Sequence, residues 1–206
     1  MKQEARSERS RSQILAAALR LFSSQGYRGT NMREIAEAAG VSTGNVYHQF
    51  RDKEDVFQTL LTEYAVRVNS PDDPFNKAIA EGAFPEDMYT LAAAMRQSME
   101  RSREHALLAY VDVLEFEGRH LRQFYENLTN RLEQFLLTDA GHHSASLVRS
   151  GVSALTAMEF TTRLLVKYFE AEVLFGIANH YGRNGQDVLS EMLDLLKHGV
   201  LSPRQI

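Results

Sequence analysis

The chain has 206 residues, which fits one large domain or two small ones, and it contains no cysteine. Disulfides, thiolate metal sites and cysteine nucleophiles are therefore excluded, as is usual in a reducing cytoplasm. The longest stretch without Asp, Glu, Lys or Arg, residues 38–50, has 13 residues, whereas a membrane span needs about 20 apolar ones. The N-terminal residues also lack the apolar run of a signal peptide. These features predict a cytoplasmic protein with no membrane contact.

The net charge of −4 hides an uneven distribution along the chain. Residues 1–51 hold eight Lys and Arg against four Asp and Glu, a balance of +4, which leaves −8 for the rest. We therefore expect any polyanionic partner to contact the N-terminal quarter.

The composition favours an all-α fold, because Leu and Ala together number 46 whereas Val, Ile and Thr number 28. Apolar residues at helical spacing predict a first helix that stops before Gly26. A second helix is predicted to begin near Thr30 or Asn31 and to stop at Gly40. Two further helices complete residues 11–69: a third over residues 43–49 capped by Ser42, and a fourth opened by Asp52.

The remainder of the chain reads as a helical bundle. Prolines, Gly82 and two adjacent aspartates indicate a linker or lid over residues 69–87. Three amphipathic helices follow, then a predicted loop over residues 140–144. A long apolar pattern covers residues 147–177, and a last helix is centred on residues 188–196.

The second and third predicted helices have the spacing of a helix-turn-helix. Ala36 is small enough to let the two helices approach, Gly40 accepts a positive φ in the turn, and Val46 returns to the core. By itself this spacing is only moderately specific.

The third helix presents a polar face without any carboxylate. At about 100° per residue, Gly44, Asn45 and His48 lie opposite Val46, with Tyr47 and Gln49 on the flanks. Donors and acceptors beside an exposed glycine suit a groove lined by base edges and phosphates. The alternative is an ordinary polar surface helix, which more often carries charged pairs.

Residues 11–57 read RSQILAAALRLFSSQGYRGTNMREIAEAAGVSTGNVYHQFRDKEDVF, and this stretch resembles the DNA-binding domain of the TetR family of transcriptional regulators. The resemblance implies an N-terminal three-helix helix-turn-helix domain, placed at residues 1–52. A helical bundle for ligand binding and dimerisation, residues 53–206, would follow.

The resemblance also implies individual DNA contacts. Position 43 is often Lys in the family and is Thr here, and position 49 is often His and is Gln here, so the preferred operator stays open. Tyr47 and Lys53 are expected on phosphates, and Arg33 on a base or phosphate. The implied DNA-binding residues are Arg33, Thr43, Gly44, Asn45, Tyr47, His48 and Lys53.

The N-terminal arm carries Lys2, Arg6, Arg9 and Arg11. These residues would add phosphate or minor-groove contacts if the arm reached the DNA. A frayed, solvated tail is the equally simple alternative.

Family members often enclose a small effector in the bundle, and Met and aromatic residues on its helices are candidates to line such a pocket. The same residues would serve equally well as plain core. The candidate pocket residues are Met95, Met99, Tyr110, Phe124, Tyr125 and Phe160.

The last apolar patterns suggest a homodimer, since one recognition helix covers too few base pairs for specific binding and two half-sites are needed. The alternative is that this apolar surface is internal. The candidate dimer-interface residues are Leu165, Phe169, Leu189, Met192 and Leu196.

The functional prediction is a transcriptional regulator, most simply a repressor that a small-molecule effector releases from a pseudo-palindromic double-stranded DNA operator. The alternative is a DNA-binding dimer that has no effector and is controlled by a protein partner or acts as an activator. His142 and His143 are adjacent and lack the spacing of a helical metal site, so neither metal nor cofactor is predicted. No catalytic motif is apparent, and we expect no enzyme activity.

Overall fold

The computed structural model describes residues 2–178, 182 and 184–201, and for residues 2 and 123–125 it describes the backbone only. The regular secondary structure of the described residues is helical, apart from an isolated antiparallel bridge between Val148 and Leu201, which confirms the all-α prediction. None of the described helices is long and apolar enough to cross a membrane. The helices are α1 (Lys2–Gln25), α2 (Met32–Ala39), α3 (Thr43–Gln49), α4 (Lys53–Asn69), α5 (Pro74–Ala80), α6 (Met88–Arg101), α7 (Arg103–Phe116), α8 (Arg122–Leu136), α9 (Asp139–Leu147), α10 (Ala154–Phe169) and α11 (Gly185–Val200).

The chain forms two compact units. The first consists of Met1–Val66 and Glu104–Phe124, and the second of Arg67–Arg103 and Tyr125–Ile206. The first unit therefore combines α1 to α4 with α7, which lies far along the sequence. Its core contains side chains from α1, α2, α4 and α7, including Leu108 of α7, and Val46 from the buried side of α3. The functional division predicted at residue 52 is a separate matter and stays a prediction.

The helices α2 and α3 begin at the N-terminal caps that the sequence predicted. The Asn31 side chain accepts hydrogen bonds from the backbone N–H groups of Arg33 and Glu34, and the Glu34 carboxylate accepts one from Asn31 in return. Gly40 ends α2 with a φ of 67°, a left-handed conformation that costs glycine little. Ser42 then caps α3 by accepting from the N–H of Asn45 at 3.2 Å.

The predicted linker over residues 69–87 is wrong in part, because it contains α5. Asp73 caps this helix and Pro74 occupies its first position, where a proline needs no N–H donor. Phe75 and Ile79 are buried. A proline interrupts a helix from its interior, but at the first position it starts one, as Pro74 does here.

The predicted loop over residues 140–144 is also wrong, since these residues lie within α9. A Cβ atom built on Gly141 would lie 2.1 Å from the carbonyl oxygen of Phe135. The glycine is therefore needed for a close approach of two backbone segments rather than for a turn. The long apolar pattern over residues 147–177 resolves into α10 and a π-helical turn, Glu170–Leu174.

Candidate nucleic-acid interface

The short helix α3 separates a buried side from an exposed one. Val46 has no exposed surface, and Phe50, immediately after the helix, is 2% exposed. Gly44, Tyr47 and His48 are exposed, and Tyr47 has 55% of its surface accessible. Helix periodicity therefore predicted the two sides of α3 correctly. Arg33 is also exposed, near the start of α2.

Thr43 and Asn45 are half-buried rather than fully exposed. The side-chain oxygen Oδ1 of Asn45 is buried and accepts no hydrogen bond from any residue that the structure describes. A buried carbonyl oxygen without a donor costs free energy, on the order of 1 to 3 kcal/mol. The Oδ1 acceptor of Asn45 is thus not used by any residue that the structure describes.

Gln49 is engaged by α1. Its Nε2 atom donates to Oγ of Ser7 at 2.8 Å, and its backbone oxygen accepts from Nη1 of Arg11 at 3.3 Å. Arg11 also lies over the ring of Phe50, 4.3 Å from the ring centroid. The expected arm is therefore the beginning of a continuous helix whose residues contact the end of α3.

Lys53 lies at the start of α4 and points into the turn between α1 and α2. Its ammonium donates to the carbonyl oxygens of Tyr27 and Thr30, each at 2.7 Å, and lies 4.0 Å from the centroid of the Tyr27 ring. Burial lowers the pKa of Lys53, while Glu115 and Glu34 act in the opposite direction. Two of its three donors are in use, so one remains for the phosphate contact that the sequence predicted.

An aromatic cluster that the sequence did not predict joins α1, α4 and α7. The Tyr27 ring lies 4.6 Å from Phe116 and 5.5 Å from Phe57, and Phe57 stacks on Phe116 at 5.2 Å. Phe22 completes the cluster at 5.4 Å from Phe57. Such pairs stabilise a core beyond the area they bury. The only signal in the sequence was the presence of these aromatic residues. No local pattern predicts that Phe116 packs against the N-terminal helices.

Charged side chains of α7 and of the turn after it reinforce this contact. The Glu115 carboxylate accepts from the backbone N–H groups of Tyr27 at 2.9 Å and Arg28 at 2.8 Å. Asp112 is fully buried, and its Oδ1 atom lies 2.5 Å from Nδ1 of His120. Its Oδ2 atom accepts a hydrogen bond from the backbone N–H of the same histidine. Glu115 therefore fixes the turn that precedes α2.

The candidate pocket residues differ in burial and in the unit to which they belong. Met95 and Met99 are buried in the second unit, and Tyr110 is half-buried in the first. Phe160 is 59% exposed, so the expectation that it lines an enclosed pocket is wrong. The Phe160 side chain lies on the side of α10 opposite the buried residues of that helix. The side chains of Phe124 and Tyr125 lie outside the described residues.

Three of the candidate dimer-interface residues are buried in their own chain. Leu165 is 0% exposed, Phe169 1% and Leu196 6%, so a partner cannot reach them, and their assignment to an interface is wrong. They belong to the core-facing stripes of α10 and α11. The other two, Leu189 and Met192, are half-buried. The exposed apolar side chains of these helices are instead Phe160 and Leu195, and Leu195 is 74% exposed.

His142 and His143 are exposed residues of α9. Among the residues that the structure describes, no three His, Asp or Glu side chains are grouped so that they could hold a metal ion.

The family model for bacterial regulatory proteins of the tetR family matches residues 14–60. These residues contain the second half of α1, the helix-turn-helix and the first half of α4. Residues 14–60 are thus similar to the bacterial regulatory proteins of the tetR family. The match therefore confirms the resemblance read from the sequence, and it covers the surface that carries Arg33, Tyr47 and His48.

Curated relatives resemble the chain over part of its length. The HTH-type transcriptional regulator AcrR of Shigella flexneri is 51% identical over 59 residues, which are 29% of this chain and 26% of AcrR. The HTH-type transcriptional repressor AcnR of Corynebacterium glutamicum is 44% identical over 59 residues, 29% of this chain and 31% of AcnR. The chain thus matches less than a third of the length of these relatives.

Solved structures share the fold over nearly the whole chain. A TetR-family regulator from Mesorhizobium loti aligns with a TM-score of 0.68 at 22% identity, covering 95% of this chain and 98% of the other. The regulator FadR from Bacillus subtilis, solved in complex with stearoyl-CoA, aligns with a TM-score of 0.59 at 20% identity over 91% and 98% of the two chains.

Proposed function

We propose that this protein is a DNA-binding transcriptional regulator that acts as a repressor and is released from its operator by a small-molecule effector. The observation that carries the proposal is the family match over α1 to α4, on a helix α3 that exposes Gly44, Tyr47 and His48 and holds no carboxylate. A helix with a buried apolar side and such a polar side fits the major groove.

Within this proposal, α3 reads the bases and its neighbours contact the phosphates. His48 and Asn45 are the base readers, and a base donor would satisfy the unused Oδ1 of Asn45 after a change of rotamer. Tyr47 and Arg33 are exposed at positions suited to phosphate contacts, and Lys53 contributes its third donor. Gly44 and Thr43 lie in the first turn, where the backbone approaches the DNA.

The regulator is proposed to bind as a homodimer, because one α3 covers only a few base pairs and a palindromic site supplies two half-sites one helical turn apart or a multiple of it. The exposed Phe160 and Leu195 of α10 and α11, with the half-buried Leu189 and Met192, are the apolar residues proposed for the interface.

The repressor role and the effector are proposed by analogy. AcnR is a repressor, and FadR was solved with stearoyl-CoA, so a second unit of the same fold is proposed to take a small molecule. Met95 and Met99 are the candidate contacts. A regulator without an effector, controlled by a protein partner or acting as an activator, is the second candidate. Neither candidate requires enzyme activity.

Selection of bound sequences from a random double-stranded DNA pool tests the proposal directly. We expect a pseudo-palindromic motif, and we expect His48→Ala to relax the preference at one or two positions at a cost of about 1 to 3 kcal/mol. Tyr47→Ala should instead weaken binding to all sequences and reduce its salt dependence. A chain that is folded but enriches no sequence would exclude a sequence-specific regulator.

A thermal shift against a panel of metabolites, including acyl-CoA thioesters, separates the two candidates. A ligand at 100 times its dissociation constant stabilises the folded state by about 2.7 kcal/mol. The effector should also lower the affinity for the selected DNA, since the two equilibria are linked. A stabilising ligand that leaves DNA affinity unchanged would argue against the effector model.

A further inference from the structure

The second unit contains an arginine that is partly withdrawn from water. Arg131 lies on α8 and is half-buried, and burial lowers its pKa below the usual value, while the charge of Asp73 acts in the opposite direction. Withdrawing a guanidinium from water costs free energy unless acceptors or an anion replace the water. The hydrogen bonds of Arg131 therefore show which part of the group still lacks a partner.

Only one nitrogen of the Arg131 guanidinium is bonded to residues that the structure describes. Nη1 donates to the backbone oxygen of Val68 at 2.7 Å and to Oδ1 of Asn69 at 3.0 Å, at the C-terminal end of α4. Nε and Nη2 donate to no described residue. Both of these atoms keep accessible surface, so a ligand can reach them. The guanidinium is thus held by Nη1, and its other edge is available.

The edge formed by Nε and Nη2 suits a carboxylate. Its two N–H groups are nearly parallel and match the two oxygens of one carboxylate group, which is how arginine forms bidentate pairs. The helix α8 does not supply such a group, because the positions three and four residues from Arg131 hold no Asp or Glu. Arg131 forms no ion pair with any Asp or Glu side chain in the described part of the chain.

The carboxylate whose charge acts on Arg131 is bonded to other groups. Oδ1 of the buried Asp73 accepts from the backbone N–H groups of Phe75 at 3.0 Å and Asn76 at 3.3 Å. Its Oδ2 atom accepts from the hydroxyl of Ser98, which is also buried. Asp73 is therefore the cap of α5 and a link to α6. It offsets part of the charge of Arg131 without occupying the Nε–Nη2 edge.

The side of α6 that contacts Asp73 is otherwise mainly apolar. Ser98 lies on the buried side of this helix together with Met95 and Met99, which are the candidate effector contacts. Thioether side chains adapt to apolar groups of varied shape. The negative charge of Asp73 also disfavours a doubly charged anion more than a singly charged one. These features favour an organic monocarboxylate over inorganic phosphate.

We infer that Arg131 binds the carboxylate of the effector through Nε and Nη2, so that the effector is an organic monocarboxylate with an apolar body. The inference rests on the proposed effector-controlled function. Nη1 keeps its hydrogen bonds to the end of α4 in the bound state. The alternative is that Arg131 only caps the last carbonyl groups of α4. A lysine keeps the charge and a donor for such a cap but lacks the two-donor edge, so Arg131→Lys separates the two roles.

NMR titration of the full chain without DNA tests the carboxylate contact. The probes are benzoate and hexanoate, each compared with its neutral amide, which has the same apolar body. We expect both carboxylates to shift the Nε–H signal of Arg131 to saturation, and both amides to leave it unchanged. Inorganic phosphate should bind more weakly than either carboxylate.

The matched variants assign the binding to Arg131. Arg131→Lys should weaken carboxylate binding, followed by the backbone amide signals of the second unit, by at least about tenfold, as expected for a lost charge-assisted hydrogen bond. Its urea unfolding should stay close to that of the wild type. Arg149→Lys, at an exposed arginine of the same unit, should leave the carboxylate affinity unchanged.

Regulation through the same contact is tested with the DNA that the wild type selects. A carboxylate that binds should lower the affinity of the wild type for this DNA, because the two equilibria are linked. At the same concentration it should have no effect on Arg131→Lys. Without carboxylate, Arg131→Lys should bind the DNA as the wild type does.

Three results would overturn the inference while leaving the proposed function intact in a chain that selects DNA. The first is an Arg131 signal that neither carboxylate shifts. The second is equal affinity of the wild type and Arg131→Lys for the carboxylates, which would make Arg131 only a cap. The third is a carboxylate that binds at Arg131 and leaves DNA affinity unchanged. Failure of the wild type to select any DNA would instead reject the proposed function itself.

Discussion

The ammonium group of Lys53 stabilises the turn that precedes the helix-turn-helix. It donates to two carbonyl oxygens of the turn between α1 and α2 and contacts the Tyr27 ring. Those carbonyls follow the end of α1, where backbone acceptors have no helical partner. A residue expected mainly on phosphates is therefore also part of the structure that carries α2 and α3.

Replacing Lys53 by Met tests this structural role, since Met keeps the apolar stem and removes the ammonium. We expect the free energy of unfolding to fall by about 1 to 2 kcal/mol, because two charge-assisted hydrogen bonds are lost at a half-exposed site. Urea unfolding without DNA measures the change. Lys77→Met, at an exposed lysine on α5, should cost less than about 0.5 kcal/mol. Equal costs would mean that Lys53 matters only for DNA.

Asp87 links the start of α6 to acid stability. Its carboxylate accepts from the backbone N–H of Thr90 at 3.0 Å and from the Thr90 hydroxyl at 2.7 Å, and these hydrogen bonds hold its pKa below the usual 3.8. A carboxyl group with a lowered pKa stabilises the fold fully above its unfolded pKa. That contribution is lost as the pH falls below about 4 through the folded pKa.

The variant Asp87→Asn keeps a capping side chain and removes the titration. We expect the stability difference between wild type and Asp87→Asn to be constant above about pH 5 and to shrink below about pH 4. Thr90→Val, which removes only the hydroxyl donor, should weaken this dependence in part. Urea unfolding between pH 3 and 7 measures both. A difference that grows toward low pH would show that the sign is wrong.

At the scale of elements, α7 acts as a support for the helix-turn-helix. Glu115 accepts two backbone N–H groups of the turn before α2, at a point where Gly26 has a φ of 78°. A Cβ on Gly26 would lie 2.9 Å from Oε1 of Glu115. The glycine therefore provides both the left-handed conformation and the space that this carboxylate occupies.

Gly26→Ala should destabilise the first unit more than Gly40→Ala does. Both residues have positive φ, but a Cβ on Gly40 meets nothing within 4 Å, so only the strain of about 1 kcal/mol applies there. At Gly26 the displaced carboxylate also loses a hydrogen bond to Tyr27, on the order of another 1 kcal/mol.

The excess cost at Gly26 should disappear when Glu115 is already Ala, because the carboxylate that the new methyl group displaces is then absent. Thermal or urea unfolding of the four chains in this cycle gives the coupling. Additive effects would show that Glu115 does not account for the cost at Gly26.

At the scale of the whole molecule, burial separates two kinds of apolar residue on α10 and α11. Leu165 and Phe169 lie in the core, whereas Phe160 and Leu195 are exposed. Exposed large apolar side chains on the last helices are what a homodimer of the proposed kind would cover. Sedimentation of the wild type at micromolar concentration should therefore show a dimer.

Glutamate substitutions at the two kinds of position should have opposite effects. Phe160→Glu and Leu195→Glu should yield folded monomers that lose specific DNA binding, with the helical circular dichroism of the wild type. Leu165→Glu and Phe169→Glu place a charge in the core and should lose the fold, at a cost above about 3 kcal/mol. Dimers that persist in both exposed variants would place the interface elsewhere.

The sequence by itself determined the features that depend on neighbours within about ten residues. The caps at Asn31 and Ser42, the left-handed turn at Gly40 and the buried side of α3 at Val46 all follow from local hydrogen bonding and helical period. The same locality explains the two errors at α5 and α9, because a proline can start a helix as well as interrupt one, and distant contacts decide whether a short polar segment is helical.

Only the tertiary structure decided which elements pack together and which apolar residues face inward. Glu115 lies 88 residues from Tyr27, and Gln49 lies 42 residues from Ser7, so no local pattern could pair them. The apolar stripe of α10 did not indicate what covers it, because an apolar residue fits a core as well as an interface. In the structure Leu165 and Phe169 are buried in the core. Periodicity shows that a helix has an apolar side, but the packing of distant segments decides what covers it.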